Sequence, residues 1–183
     1  MKAFLVHTIE SAPAQSKASL EALQRTFGMI PNIAGAMSTS PVLVGSLVSM
    51  FQKVHTGSFS ESEIQVLLLT NAVTNACTWA VAFHTFLALK QGVDPADVKA
   101  IREGRAPSNP KHSALSTLAR TLIEKRGRLD ETEISRFLEA GFDQALLLEV
   151  IAVVAASTIT NYTGSVTRPP LESAFQEQSW SAQ

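Results

Sequence analysis

Apolar residues recur at helical spacing along most of the chain. Leu20, Leu23 and Phe27 follow one another at intervals of three and four residues, and Gly28 comes directly after them. This spacing is typical of the buried face of an amphipathic helix, and a glycine is well suited to end one. The pattern predicts a first helix over residues 16–28.

Proline and serine positions mark the next two helix starts. The stretch MIPNIAGAM is predicted to be a turn region, because a proline disfavours helical geometry in the residue before it. Pro41, directly after Ser40, predicts a helix that begins there. Ser60 and Glu63 have the spacing of a capping box, so a further helix should begin at Glu61.

The segment EIQVLLLTNAVTNACTWAVAFHTFLALKQG is hydrophobic on all sides and should lie at the centre of the fold. Asparagine is a poor residue inside a helix and a good N-cap. We therefore expect one helix from Glu61 to about Thr74, and a second from Ala76 to Gln91 with Asn75 as its N-cap.

The rest of the chain repeats the helical pattern. DPADVKAIREG predicts a short surface helix, and SALSTLARTLIEKRG has an apolar stripe. DETEISRFLEAG begins with a cap, Asp130 with Glu133 three residues later, and a long apolar helix should follow Asp143. The valines and isoleucines of this last segment would also suit a buried strand, but the chain offers no strand to pair with it. We predict an all-α fold in a single domain, 1–183, with helical halves at about 1–106 and 107–170. A polar tail follows, in which Trp180 is the expected anchor.

Composition narrows the classes of partner. Of the 183 residues, 45% are hydrophobic and 17% are charged, and the formal net charge is -1. This balance gives no attraction for nucleic acid or for an anionic membrane, so we expect neither partner. The N-terminal apolar run, Ala3 to Val6, is too short for a signal-peptide core, and LLLEVIAVVAASTI only approaches a transmembrane segment. We expect a soluble, cytoplasmic protein, and its single cysteine excludes an internal disulfide.

That cysteine, Cys77, stands seven residues before His84 in the stretch NACTWAVAFH. Seven residues make two helical turns, so both side chains should project from nearly the same face, about 10 Å apart along the axis. A cysteine in the first turn after an Asn75 cap would have its thiol pKa lowered by the helix dipole. The alternative is a structural role, since free cysteine is among the most buried residue types.

The same residues resemble a known family. NACTWAVAFHT is similar to the signature N-x-C-x-[YW]-C-x-x-x-H of the alkylhydroperoxidase D-like (AhpD-like) and carboxymuconolactone decarboxylase family. FGMIPNIAGAMSTSPVLVGSL and FLEAGFDQALLLEVIAVVAASTITNY resemble further segments of its peroxidase-related branch. The resemblance covers nearly the whole chain and implies an all-α fold that assembles as a homo-oligomer, commonly a trimer or hexamer.

In thiol-dependent members of that family, the second cysteine attacks peroxide, the first forms a disulfide with it, and a glutamate and a histidine relay protons. The resemblance places Cys77 and His84 at the first cysteine and the histidine, but Ala80 stands at the second cysteine. Gln65 stands where the glutamate is expected, twelve residues before Cys77, and Trp79 at the aromatic position is a candidate pocket wall. Glu63, two residues away, is expected to serve the capping box instead.

Three functions remain open from the sequence. The first is a thiol peroxidase with reduced machinery, in which Cys77 is oxidised and an external thiol regenerates it. The second is a cofactor-free decarboxylase acting on a small lactone acid, with His84 as proton donor and Arg102 or Arg105 binding the carboxylate. The third is a non-catalytic protein that binds a small molecule. The spacing of histidines and acids predicts neither a metal site nor a cofactor site.

Overall fold

The computed structural model describes residues 3–182, and all regular secondary structure within that range is helical. Met1 and Lys2, which belong to the segment considered for a signal peptide, lie outside the described residues, as does Gln183. The all-α prediction is confirmed. The helices are α1 Ala14–Phe27, α2 Asn32–Met37, α3 Pro41–Val54, α4 Glu61–Thr74, α5 Thr78–Lys90, α6 Pro95–Arg102, α7 Pro110–Glu124, α8 Glu131–Glu139, α9 Gln144–Thr167 and a final 3₁₀ helix, Ser173–Gln178.

Local capping interactions start and end several helices where the sequence predicted. Gly28 closes α1 in the left-handed conformation, at φ 73°. Ser40 accepts a hydrogen bond from the Leu43 amide and places Pro41 at the first position of α3. Ser60 and Glu63 form the predicted reciprocal capping box at the start of α4. The predicted turn at MIPNIAGAM was wrong in part, because the chain after Pro31 forms the short helix α2.

The junction between α4 and α5 differs from the prediction. Asn75 ends α4 rather than capping α5. Ala76 adopts φ 52°, the Ala76 amide donates to the Val73 carbonyl, and the Cys77 amide donates to the Ala72 carbonyl. These are the two bonds of a Schellman motif, in which the left-handed position is usually glycine. Cys77 therefore takes the N-cap position of α5 itself.

Helix α4 lies at the centre of the molecule. It packs against α5, α6, α7 and α9, and its residues 64–72 are all buried. Buried apolar residues from both predicted halves form one hydrophobic cluster, with Leu20 and Leu67 in the first half and Leu115 and Val150 in the second. The two halves thus share a core.

Helix α9 is apolar well beyond its buried side. It packs against α2, α3, α4, α5 and α7, and 33% of its most apolar stretch is buried. By length and composition alone, however, it is the one helix in residues 3–182 that could cross a membrane, which the sequence pattern had only approached. Leu148, Ile151, Tyr162 and Val166 are exposed along its outer side.

The C-terminal segment is held more firmly than the sequence indicated. Trp180 donates from Nε1 to the Arg102 carbonyl at 3.0 Å, as an anchor should. Phe175 is also buried, and its ring lies 5.2 Å from those of Phe83 and Phe86. Glu172 adds two further hydrogen bonds, described below. The prediction of a single anchor was therefore wrong.

Candidate functional site

A cavity of about 610 Å³ opens between α1, α3, α4 and α5, with α2 and α9 completing its wall. Most of its lining is apolar, and four aromatic rings face it, those of Phe27, Phe51, Trp79 and Phe83. Trp79 and Phe83 stack with their ring centres 4.9 Å apart, and Phe27 meets Phe83 edge-on at 5.4 Å. Such a space suits a small, flat, largely apolar molecule.

His84 and Gln65 provide paired polar groups in this cavity. His84 Nδ1 lies 3.0 Å from Gln65 Oε1, and both side chains line the cavity although each is only 3% exposed. An amide oxygen only accepts, so Nδ1 carries the proton and Nε2 keeps its lone pair. Burial, with a smaller electrostatic contribution from His55, lowers the pKa of His84 to about 3. His84 is therefore a neutral imidazole at physiological pH.

Cys77 is separated from this cavity. It is 2% exposed and does not belong to the cavity lining. Its sulfur lies against α9, so close that a Cβ added to Gly164 would come within 2.6 Å of Sγ. Burial raises the pKa of the Cys77 thiol, although hydrogen bonds from the Ala80 and Trp79 amides oppose this. The predicted low thiol pKa was wrong, because the loss of hydration outweighs the helix N-terminus.

The other residues of the family signature divide between core and cavity. Ala80 is fully buried and does not line the cavity. Trp79 forms part of the wall, and its Nε1 donates to Glu172 Oε2 at 2.9 Å. The other oxygen of Glu172 accepts from the Asn32 amide at 2.6 Å. The carboxylate thus ties the Trp79 wall to the start of α2, a contact 93 residues away in sequence that no local pattern predicts.

A second histidine lies at the cavity mouth. His55 Nδ1 is 2.9 Å from Glu61 Oε1, and both residues line the cavity together with Lys90. The sequence gives no sign of a role for His55, because no acidic or metal-binding residue follows it at helical spacing. Its partner is six residues away, across the turn between α3 and α4, so only the packing of the two helices reveals the pair.

The two arginines proposed as carboxylate binders lie outside the cavity. Arg102 donates to Thr85 Oγ1 and to the carbonyls of Gln178 and Ser179, which fixes the C-terminal segment. Arg105 pairs with Glu103. Neither guanidinium therefore faces a substrate at His84, and that expectation was wrong. Within residues 3–182, no group of three His, Cys, Asp or Glu side chains is arranged to hold a metal ion.

Comparison with solved structures shows the fold. One similar structure is that of an uncharacterized peroxidase-related protein from Ralstonia eutropha JMP134, described as an alkylhydroperoxidase AhpD core. It superimposes with a TM-score of 0.82 at 15% identity over 93% of this chain and 92% of that chain. A peroxidase-related protein from Silicibacter sp. TM1040 gives a TM-score of 0.78 at 16% identity, covering 94% and 93%.

A third similar structure is the debrominase Bmp8, in a cysteine-to-alanine variant bound to 2,3,4-tribromopyrrole. Its TM-score is 0.78 at 15% identity, with 97% of this chain and 96% of that chain covered. No protein-family model matches the chain, and no curated protein sequence matches it. The helical architecture and these superpositions agree with the fold that the resemblance in the sequence implies. The protein has the AhpD-like helical fold.

Proposed function

We propose that the protein is an enzyme that binds a small, planar, largely apolar molecule through the His84 cavity and acts on it without a thiol or a cofactor. One observation carries the proposal. The neutral imidazole of His84 lines the aromatic cavity, whereas the only cysteine is packed away from it against Gly164. This favours the acid–base alternative from the sequence over the thiol peroxidase, although a neutral His84 is an acceptor and not the proton donor expected there.

The polar groups indicate what the molecule must present. His84 Nε2 makes no hydrogen bond within residues 3–182. As a lone-pair acceptor in an apolar cavity, it favours a ligand with one N–H or O–H group on a ring. The debrominase with a bound tribromopyrrole is a protein of this fold that holds such a ring. A ring carrying one donor is therefore the substrate class that we propose.

A lactone acid fits less well, because its carboxylate needs a cation and neither arginine lines the cavity. Lys90 is the cation that lines it. Lactone acids thus remain a second choice within the acid–base class, and they would bind near Lys90 rather than Arg102.

Calorimetric titration with 1-naphthol and naphthalene tests the proposal, because these rings differ by one hydroxyl group. We expect 1-naphthol to bind about ten times more tightly, which is the value of one hydrogen bond of about 1.4 kcal/mol. The difference should vanish in the double variant His84→Leu, Gln65→Leu, which removes both partners so that neither is left unpaired in the core. Cys77→Ala is the matched control and should bind both compounds as the wild type does. Equal binding of the two compounds to wild type would refute the proposal, and 2,3,4-tribromopyrrole extends the same titration to an N–H donor.

The second candidate is a thiol peroxidase in which Cys77 is oxidised to a sulfenic acid and an external thiol restores it. The peroxidase-related proteins among the similar structures favour it. Intact mass and free-thiol titre after mild hydrogen peroxide decide the matter, with Cys77→Ser as the control for methionine oxidation. Under our proposal the titre stays at one free thiol per chain. The peroxidase would be supported if the wild type loses that thiol and gains the mass of one oxygen atom, while Cys77→Ser gains no such mass.

A further inference from the structure

The cavity contains two histidines, and each is oriented by an acceptor on α4. His84 Nδ1 bonds to Gln65 Oε1 at 3.0 Å, and His55 Nδ1 bonds to Glu61 Oε1 at 2.9 Å. Glu61 and Gln65 are four residues apart, so they lie one turn from each other on the same face of α4. Both bonds use Nδ1, which leaves Nε2 of each ring without a hydrogen bond in the described part of the chain.

The two pairs differ in charge and in exposure. Gln65 is a neutral amide, and its partner His84 is only 3% exposed. Glu61 is a carboxylate, and the side chain of its partner His55 is 35% exposed. A carboxylate at Nδ1 holds a histidine in one tautomer and stabilises the imidazolium that forms when Nε2 takes a proton. An amide gives orientation but no such charge. Groups of one type in contrasting environments commonly divide the roles of acid–base chemistry between them.

We infer that His55 is the catalytic base of the cavity, with Glu61 as its orienting carboxylate and His84 as the neutral group that positions the bound molecule. His55 Nε2 takes a proton from an O–H or C–H bond of that molecule. The electron pair of the broken bond stays on the molecule, and the new N–H cation lies beside Glu61. This inference rests on the proposed function, because the positioning role of His84 needs a ring that donates to its Nε2.

The remaining lining supports the assignment to His55. Besides these two histidines and Glu61, Lys90 on α5 is the titratable residue that lines the cavity, and α1, α2 and α9 contribute none within residues 3–182. A lysine ammonium group is a donor only and has no lone pair with which to accept a proton. Phe51 stacks on the His55 ring with the ring centres 6.2 Å apart, and also lines the cavity, which fixes the imidazole at the mouth.

A planar aromatic probe tests the base. 5-Nitrobenzisoxazole has no N–H or O–H donor, so it occupies the aromatic cavity without the bond to His84 and reports on His55 alone. When a base removes the C3 proton of 5-nitrobenzisoxazole, the C–H electron pair forms the nitrile, the N–O bond breaks and the oxygen leaves as a coloured phenolate. No oxidant or reductant takes part. The rate of colour formation with the full-length protein therefore reports proton removal inside the cavity, and its saturation with probe concentration separates KM from kcat.

We expect His55→Gln to lower kcat for this probe by about 100-fold, within the range usual for a general base. Glu61→Gln keeps an acceptor oxygen, but its amide group can also donate to Nδ1 of His55. That bond favours the tautomer with its proton on Nε2, which cannot act as the base. We therefore expect about a tenfold loss in kcat with KM unchanged. His7→Gln changes a half-buried histidine that lies outside the cavity and contacts Ser11; it is the matched control and should leave both constants unchanged.

An unchanged kcat in His55→Gln overturns the inference, and so does a Glu61→Gln effect that appears in KM alone. Titration of 1-naphthol into His55→Gln separates the two proposals. Normal binding of 1-naphthol together with an unchanged kcat refutes His55 as the base and leaves the proposed binding function standing. If the wild type shows no preference for 1-naphthol over naphthalene, the proposed function fails first, and the inference fails with it.

Discussion

Substitution of Gly164 by alanine tests whether the Cys77 thiol is packed against α9. The added Cβ would lie 2.6 Å from Cys77 Sγ and 3.2 Å from Ile33 Cδ1. The first contact is about 1 Å shorter than the usual ~3.5–4.0 Å between non-bonded heavy atoms. Overpacking of this kind costs about 1–3 kcal/mol, whereas glycine to alanine inside a helix gains about 1 kcal/mol. We expect a net loss of about 1 kcal/mol in the free energy of unfolding.

Removal of the Cys77 sulfur should reverse the sign of this change in the free energy of unfolding. In a Cys77→Ala background, the methyl group of Gly164→Ala occupies space that Sγ vacated, so the substitution should stabilise by up to about 1 kcal/mol through helix propensity. Urea denaturation of the four proteins of this double-mutant cycle gives the coupling energy, for which we expect about 1–3 kcal/mol.

Gly45→Ala is the matched control, because Gly45 lies inside α3 and its added Cβ would meet no atom within 4 Å. It should stabilise by about 1 kcal/mol whether or not Cys77 is present. If Gly164→Ala shows the same change in both backgrounds, as Gly45→Ala should, then Sγ does not rest on α9 and the separation of the thiol from the cavity is refuted.

Four further predictions use other measurements. Ala76→Gly should raise the free energy of unfolding, measured in urea, by about 1 kcal/mol, because alanine is strained in the left-handed conformation. An unchanged urea midpoint would argue against the Schellman motif at that turn. The pKa of His84 falls from 6.5 to about 3 on folding, so the unfolded chain binds the extra proton between these values and stability should decline as pH is lowered from about 6.5 towards 3. His84→Gln should show a smaller decline over that range. Ala80→Cys places a thiol one turn after Cys77, and mild oxidation should join the two, with loss of both free thiols; two titratable thiols after oxidation would contradict the helix-start geometry. Leu148 is 64% exposed on the apolar side of α9, where we expect the homo-oligomer interface that the resemblance implies; Leu148→Glu should lower the mass measured by light scattering, and a monomeric wild type would exclude that role.

Much of the fold could be predicted because its signals act over short distances. A capping side chain bonds to a backbone amide within three residues, so Ser60 with Glu63 and Asp130 with Glu133 can be recognised without knowing what surrounds them. The error at Asn75 arose from the same kind of reasoning. The preference of asparagine for an N-cap competes there with the Schellman motif through Ala76. The Schellman motif prevails, although alanine is an unusual residue for its left-handed position.

The candidate site could be predicted only in part. The pattern and the resemblance pointed to His84 and Gln65, and the structure brings them into contact. Neither the pattern nor the resemblance showed that Cys77 lies outside the cavity lining, and both missed the pair formed by His55 and Glu61. A helical wheel places residues on a face but does not say which distant segment covers that face.

The sequence by itself determined that the chain is helical, where α1 ends, where α3, α4 and α9 begin, and which residues of α4 and α5 carry polar groups. Only the tertiary structure decided which of those groups line the cavity. Capping and periodicity depend on neighbours a few residues away, whereas the accessibility and pKa of a side chain depend on every segment packed around it. Gly164 is 87 positions beyond Cys77 in the sequence, yet the absence of its side chain is what lets α9 cover the thiol and leaves the cavity to the histidines.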